Sequence, residues 1–202
     1  MVKLNQEKVW NSIAPFWDMY KKDGFGSRDK LIESFVKSSD NILDLGCGTG
    51  RNFIKNGKWY GVDFSENMLE FAGKKEIAIE LKKSNLWDIP YEDEFFDKVI
   101  CIAALHCVEF ARNRNKTIKE IYRVLKKNGR VIITVWNKDS KRWKNKPKEK
   151  LVSWSLGDKK AKRFYYLYGF EELKSDLEKV GFRVLKHSHP LARNIVFMLE
   201  KV

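Results

Sequence analysis

Asn41-Ile42-Leu43-Asp44-Leu45-Gly46-Cys47-Gly48-Thr49-Gly50 is the stretch on which the fold turns. Its first half is a short apolar run of strand length, and its second half sets three glycines at alternate positions. Glycine accepts the backbone angles of a tight turn and lets a ligand touch the main chain. A buried strand ending in such a turn marks the corner of an open α/β sheet where ligands lie beyond the carboxyl ends of the strands. A helix is expected to open near Arg51. Taken alone, the turn is common to several nucleotide-binding folds.

Downstream, Trp59-Tyr60-Gly61-Val62-Asp63 reads as the second strand. Asp63, at its end, can accept hydrogen bonds from both hydroxyls of a ribose, and Phe64 can lie against an adenine ring. The competing reading has Asp63 capping a helix that starts near Ser65. Further strands are expected at Ile77–Leu81, Phe96–Ala103 and Arg130–Trp136. An amphipathic helix is expected over Lys116–Lys127, with Ile118, Ile121, Tyr122 and Leu125 on one side and a stop at Asn128-Gly129. A helix over Phe170–Val180, Gly181, and two closely spaced strands at Phe182–Lys186 and Asn194–Glu200 complete the pattern. Strands alternating with helices predict a doubly wound α/β fold, mainly parallel, with an antiparallel pair at the sheet edge.

Upstream, Val9, Ile13, Phe16, Trp17 and Tyr20 recur near helical spacing over Asn5–Lys22, and Pro15 kinks or divides that segment. A second helix is expected from Ser27, its N-cap, to Lys37, with Leu31, Ile32 and Phe35 inward. Residues 1–38 thus read as an N-terminal helical lid, in which Trp10 and Trp17 belong either to the core or over a ligand. No internal repeat or flexible linker divides the chain, so residues 1–202 read as one domain.

Forty Lys+Arg against 27 Asp+Glu leave a net charge of +13. Such a field attracts polyanions; the alternative is charge spread for solubility or heat resistance. Part of it is clustered in Lys138, Lys141, Arg142, Lys144, Lys146, Lys148 and Lys150, interleaved with Trp143, so 138–168 reads as a basic insertion on the substrate side. The three cysteines lack metal-ligand spacing and read as reduced thiols, and no metal site is expected. The chain has neither an apolar run of membrane-spanning length nor the apolar stretch of a secretory signal, so no membrane contact and a cytoplasmic location are expected.

The full pattern Asp-x-Gly-x-Gly-x-Gly resembles the class I S-adenosylmethionine (SAM)-dependent methyltransferases. Asp44, Gly46, Gly48, Gly50 and Asp63 match the family's positions one by one. The resemblance implies a seven-stranded Rossmann-like sheet and SAM as cofactor, with Asp44 seating the turn and the glycines near the methionine part. It also places Cys47, Phe64, Asn85, Leu86 and Ala103 along the cofactor. Asn85 stands where the family usually has an acidic residue, so an amide oxygen would meet the adenine.

A closer resemblance is to the tRNA wobble-uridine methyltransferases that esterify 5-carboxymethyluridine. It rests on Val9-Trp10-Asn11-Ser12-Ile13-Ala14-Pro15-Phe16-Trp17, Cys101-Ile102-Ala103-Ala104-Leu105-His106-Cys107, Val135-Trp136 and Arg163-Phe164-Tyr165-Tyr166-Leu167-Tyr168. The departures are Tyr20-Lys21 for a Thr-Arg pair, Cys107 for a second histidine and Tyr166 for a late histidine. The resemblance implies tRNA as substrate and a small zinc-binding methyltransferase activator subunit as partner.

A carboxylate acceptor is already ionised near pH 7 and needs no general base, only a clamp that aims one oxygen at the sulfonium methyl. His106, Arg163 and Tyr165 are the candidate catalytic donors. Trp17, Lys21, Arg28, Lys141, Arg142, Trp143 and Tyr166 are the candidate substrate contacts. His106 has a plainer reading, a bond to a neighbouring backbone group. On a strand, Tyr165 and Tyr166 cannot both face a core, so one is expected as a lid or stacking residue. Cys107 lies near the place of a pyrimidine-attacking thiolate without its usual Pro-Cys setting. Rival readings are a small-molecule methyltransferase and a non-catalytic binding subunit.

Overall fold

The structure, a computed structural model, describes residues 5–20, 27–156 and 159–202. Lys21 lies outside the described residues, as do the side chains of Tyr20, Ser27 and Arg28.

Strand β1 (Asn41–Leu45) buries four consecutive side chains, Ile42 through Leu45. A strand covered on both faces belongs at the centre of a sheet. It pairs in parallel with β2 (Lys58–Asp63) on one side and β4 (Phe96–Ile102) on the other. With β3 (Ala78–Lys83), β5 (Leu125–Trp136), β8 (Phe182–His187) and β9 (Asn194–Lys201), the sheet runs β3-β2-β1-β4-β5-β9-β8. β9 is antiparallel to both neighbours. The strand order reverses at β1 and β4, so a crevice opens beyond their carboxyl ends.

Helix α1 (Gln6–Tyr20) is continuous through Pro15. Proline leaves the carbonyl four residues earlier without its helical donor. Asn67 Nδ2 donates to that Asn11 carbonyl at 3.1 Å, while Asn11 Oδ1 accepts from Ser65 Oγ at 2.7 Å. These bonds fasten α1 to α3 (Glu66–Gly73), and Ile13, Ala14 and Met68 fill the joint. α2 (Ser27–Phe35) packs Ile32 and Phe35 against Ile42 and Trp59. α5 (Phe170–Val180) ends in left-handed Gly181, as expected.

Three expectations are corrected. No helix opens near Arg51; Gly46–Gly57 is a chain of turns. β2 meets its polar groups instead: Val62 O accepts from Gly46 N at 2.7 Å and Cys47 N at 3.0 Å, and Trp59 Nε1 donates to Asn56 O. Helix α4 covers Ala111–Val124 rather than Lys116–Lys127, because Leu125 already pairs with Phe96 in the sheet. Asn128, at φ 61°, then kinks β5 instead of ending a helix. The basic insertion holds an antiparallel hairpin, β6 (Glu149–Leu156) and β7 (Lys159–Tyr166), that lies along α1 through a Phe164 N–H to Gln6 Oε1 bond of 2.9 Å.

Candidate active site

Beyond β1, β2 and β4 lies a cavity of about 360 Å³, a usual size for a small-molecule site. Gly46, Cys47, Gly48, Asp63, Phe64, Asn85, Leu86 and Ala103, all expected along a cofactor, line it together. The remaining two stand behind it. Asp44 is fully buried under the turn, with both carboxylate oxygens accepting from Asn52 Nδ2 at 3.1–3.2 Å. Gly50 packs against Phe53.

The glycines do different jobs. A Cβ on Gly46, at φ 76°, would stand 2.4 Å from Ala104 Cβ. One on Gly48 would meet only Met68 Sδ at 4.0 Å, so its open side faces the cavity. Ala103, the residue after β4, stands in the left-handed region at φ 57°, held by its N–H to Thr134 O at 3.1 Å. A non-glycine residue in that conformation stores strain, and such residues gather at functional sites.

Asp63 is the charged centre of the wall. Its Oδ2 accepts from Gly48 N and its Oδ1 from Ser65 N, both at 2.9 Å. Burial pushes its pKa up to about 6, against the pull of those amides. The cap of α3 is Ser65, whose Oγ accepts from Met68 N, so the competing role for Asp63 falls away. Gln6 Nε2 and Thr49 Oγ1 are buried with no hydrogen-bond partner, although both residues line the cavity. Donors left open beside a cavity fit a polar ligand there. Neither was foreseen: Gln6 is far off in sequence, and Thr49 fills a variable position of the turn.

Trp10 and Trp17 form the cavity's outer wall, edge to face at 5.4 Å. Behind them sits the second cluster. Arg163 is 7% exposed, with its guanidinium carbon 5.2–5.5 Å from the ring centres of Trp10, Trp17 and Tyr165. Its Nε has no partner, and no described carboxylate pairs with it. His106, on a single 3-10 turn (Leu105–Cys107), is stacked between Trp136 and Tyr165 at 5.3 Å from each. Neither of its ring nitrogens has a partner, so the plainer backbone-bonding reading does not hold. Burial, then the Arg163 charge, drive its pKa down to about 3, so the ring is neutral. The three expected catalytic residues thus form one cluster, which meets the cavity at Trp10, Trp17 and Cys107. Burial pushes the Cys107 thiol up to about 12, unsuited to attack.

The substrate-side residues divide. Trp143 continues the stack on Trp136 at 5.2 Å and carries Arg142 on its face at 4.7 Å. Lys141 is exposed. Tyr165 and Tyr166 are both buried, contrary to expectation, because this end of β7 is covered on both faces, by His106 and Trp136 over Tyr165 and by Arg114 over Tyr166. Tyr166 turns from the cavity to bond Glu172 beneath the Arg114 guanidinium, 3.7 Å from its ring.

Comparison with known proteins agrees with this geometry. Residues 43–133 match the family model of a methyltransferase domain. An uncharacterized Methanocaldococcus jannaschii protein is 32% identical over 157 residues, covering 76% of this chain and 69% of that one. The chain belongs to the class I SAM-dependent methyltransferases. A SAM-dependent methyltransferase from Methanosarcina mazei superposes with a TM-score of 0.70 at 19% identity, covering 85% of this chain and 97% of its own. A Haloferax volcanii protein solved in complex with the Trm112 methyltransferase activator reaches 0.73 at 15% identity, over 97% of each chain. The tRNA (carboxymethyluridine(34)-5-O)-methyltransferase of Arabidopsis thaliana is 33% identical over 131 residues. That match covers 64% of this methyltransferase but spans only 32% of the plant protein's length. SAM is the cofactor, and the open face of Gly48, the Asp63 carboxylate and the unpartnered Gln6 and Thr49 atoms fit it. Among the described residues no helix is long and apolar enough to cross a membrane.

Proposed function

We propose that this methyltransferase esterifies the carboxymethyl side chain of a tRNA wobble uridine. The observation that carries the reading is Arg163. A buried guanidinium without an anion is costly to hold. Three aromatic faces offset part of that cost, and an acceptor carboxylate is the partner that would offset the rest.

When bound, SAM supplies an electrophilic methyl on its sulfonium and leaves as S-adenosylhomocysteine. Asp63 receives the ribose hydroxyls, Phe64 and Leu86 bracket the adenine, and the Asn85 amide reads its edge. The bare amide face of Gly48, with Gln6 and Thr49, holds the amino-acid end. Arg163 fixes one carboxylate oxygen toward the methyl, while Trp10 and Trp17 exclude water and so strengthen that electrostatic grip. Tyr165, whose pKa burial raises, keeps its proton and can donate to the same carboxylate. His106 stays neutral and can bond a base edge without competing for the anion. Exposed Lys141 and Arg142 form the rim that meets the RNA, while Trp143, expected there, is buried on Trp136 beneath Arg142.

The similarity to the plant enzyme supports this acceptor, and the likeness to a protein solved with Trm112 supports an activator subunit as partner. The β3 edge of the sheet, which exposes Ile79, is the proposed seat for that subunit. The test is transfer of labelled methyl from SAM to tRNA carrying 5-carboxymethyluridine at the wobble position, with and without activator. Label that alkali releases supports the reading. Label that appears only on small carboxylic acids replaces the tRNA with a metabolite.

A further inference from the structure

A second concavity, about 660 Å³, runs between α1 and the β6–β7 hairpin. It uses a different face of α1 from the cofactor cavity. Lys8 and Ser12 line it, whereas Gln6, Trp10 and Trp17 face the cofactor, and the two concavities share no residue. On the hairpin side it presents Lys160 and Lys162, which are cross-strand partners of Ser155 and Ser153. Trp154 forms part of the wall and packs on Phe16 at 6.0 Å.

The chemistry of the lining is one-sided. It holds three lysines and three serines and, among the described residues, no carboxylate. Lys8, Lys160 and Lys162 are exposed, and none pairs with a described acidic group. The basic run upstream differs. Lys138 Nζ donates to Lys144 O at 2.6 Å and Lys148 is paired with Glu172 at 2.8 Å. Arg142 is spread over Trp143. Lys141, Lys144 and Lys146 of that run stay exposed along the surface, whereas in the groove three lysines converge on one concavity that has no described carboxylate.

We propose that this groove binds the sugar-phosphate backbone of the RNA beside the base to be methylated, an inference that rests on the tRNA reading above. Lysines set two residues apart on one strand face stand roughly 7 Å from each other, and hydroxyls across the ladder can donate to the same phosphates. Side chains alternate along a strand, so Lys162 and its neighbour Arg163 point to opposite faces. β7 thus grips the backbone on one face and holds the acceptor clamp on the other.

The test is fluorescence anisotropy of a labelled anticodon stem-loop RNA between 50 and 200 mM salt. It compares the native protein with the triple variant Lys8→Gln, Lys160→Gln, Lys162→Gln and with its Lys→Arg counterpart. Loss of three phosphate contacts is expected to weaken binding on the order of 10- to 100-fold near 0.1 M salt and to flatten the log–log salt slope by about 2. Arginine is expected to restore both. SAM affinity, measured by calorimetry on the same variants, is expected to stay unchanged and confirms that they fold. A glutamine variant with native RNA affinity and slope overturns the groove while leaving the tRNA reading intact. A native protein that binds no RNA in a salt-sensitive way overturns both.

Discussion

Lowering the pH from 7 to 5 is expected to weaken SAM binding about tenfold, and Asp63 is the reason. The ribose hydroxyls need an ionised carboxylate, whereas in the free protein burial raises the Asp63 pKa from 3.8 to about 6. About nine-tenths of the molecules then carry the charge at pH 7 and about one-tenth at pH 5, a loss of roughly 1.4 kcal/mol in binding. The sign for the free fold is the reverse. A carboxyl that ionises near 6 when folded and near 3.8 when unfolded favours the folded state at low pH. That advantage, about 3 kcal/mol, is lost as the pH rises through 6, so SAM binding is strongest where the empty pocket is most strained. Isothermal titration calorimetry at pH 5, 6 and 7 measures the effect, and below pH 6 binding is expected to release a proton into the buffer. In Asp63→Ala, SAM affinity is expected to collapse and its pH dependence to disappear. A dissociation constant that stays flat from pH 7 to 5 in the native protein refutes the ribose role and the burial argument together.

Gly46→Ala and Gly48→Ala are expected to separate packing from binding. The first drives a methyl into Ala104 and costs about 1–3 kcal/mol of stability in thermal unfolding. The second meets open space, costs about 1 kcal/mol for its left-handed backbone, and abolishes SAM binding by calorimetry. Arg163→Met is expected to keep folding stability within about 1 kcal/mol, since relief of an unpaired buried charge offsets the lost ring contacts. It is expected to hold SAM affinity within about twofold and to slow methyl transfer at least about 100-fold. Weakened SAM binding in that variant would contradict the acceptor role. At saturating SAM, turnover is expected to be level from about pH 6.5 to 8.5, because His106 is already neutral and the acceptor already ionised. A histidine limb in that range would return His106 to proton transfer. Neutralising Lys141 and Arg142 is expected to lower tRNA affinity and its salt slope by about one contact each, read by the anisotropy assay.

The centre of the fold was legible because its signals are local. Ile42 through Leu45 form one apolar run, the glycine turn follows directly, and Asp63 ends the next strand, so the cofactor wall could be read residue by residue. The turns from Gly46 to Gly57 defeated the reading for a tertiary reason: β2 meets their polar groups, with Val62 O accepting from Gly46 N and Cys47 N, Asp63 from Gly48 N, and Trp59 Nε1 donating to Asn56 O. The β6–β7 hairpin carried a signal that charge obscured. Its many lysines led 138–168 to be read as a basic insertion, and the two strands within it were not set apart. Tyr166 was placed at the substrate because period-2 logic assumes one open face, and the Tyr165–Tyr166 end of β7 has none, although Lys160 and Lys162 leave the other end open. The Arg163 cage joins residues about 150 positions apart, Trp10 to Arg163, and only the fold brings them into contact.

Nucleoside mass spectrometry of tRNA from cells with and without this protein tests the central claim, that Arg163 presents a wobble-uridine carboxylate to the methyl of SAM. The account predicts that the deletion strain loses the methyl ester and accumulates the free carboxymethyl nucleoside, and that an Arg163→Met copy fails to restore it. An unchanged nucleoside profile in the deletion strain would contradict it.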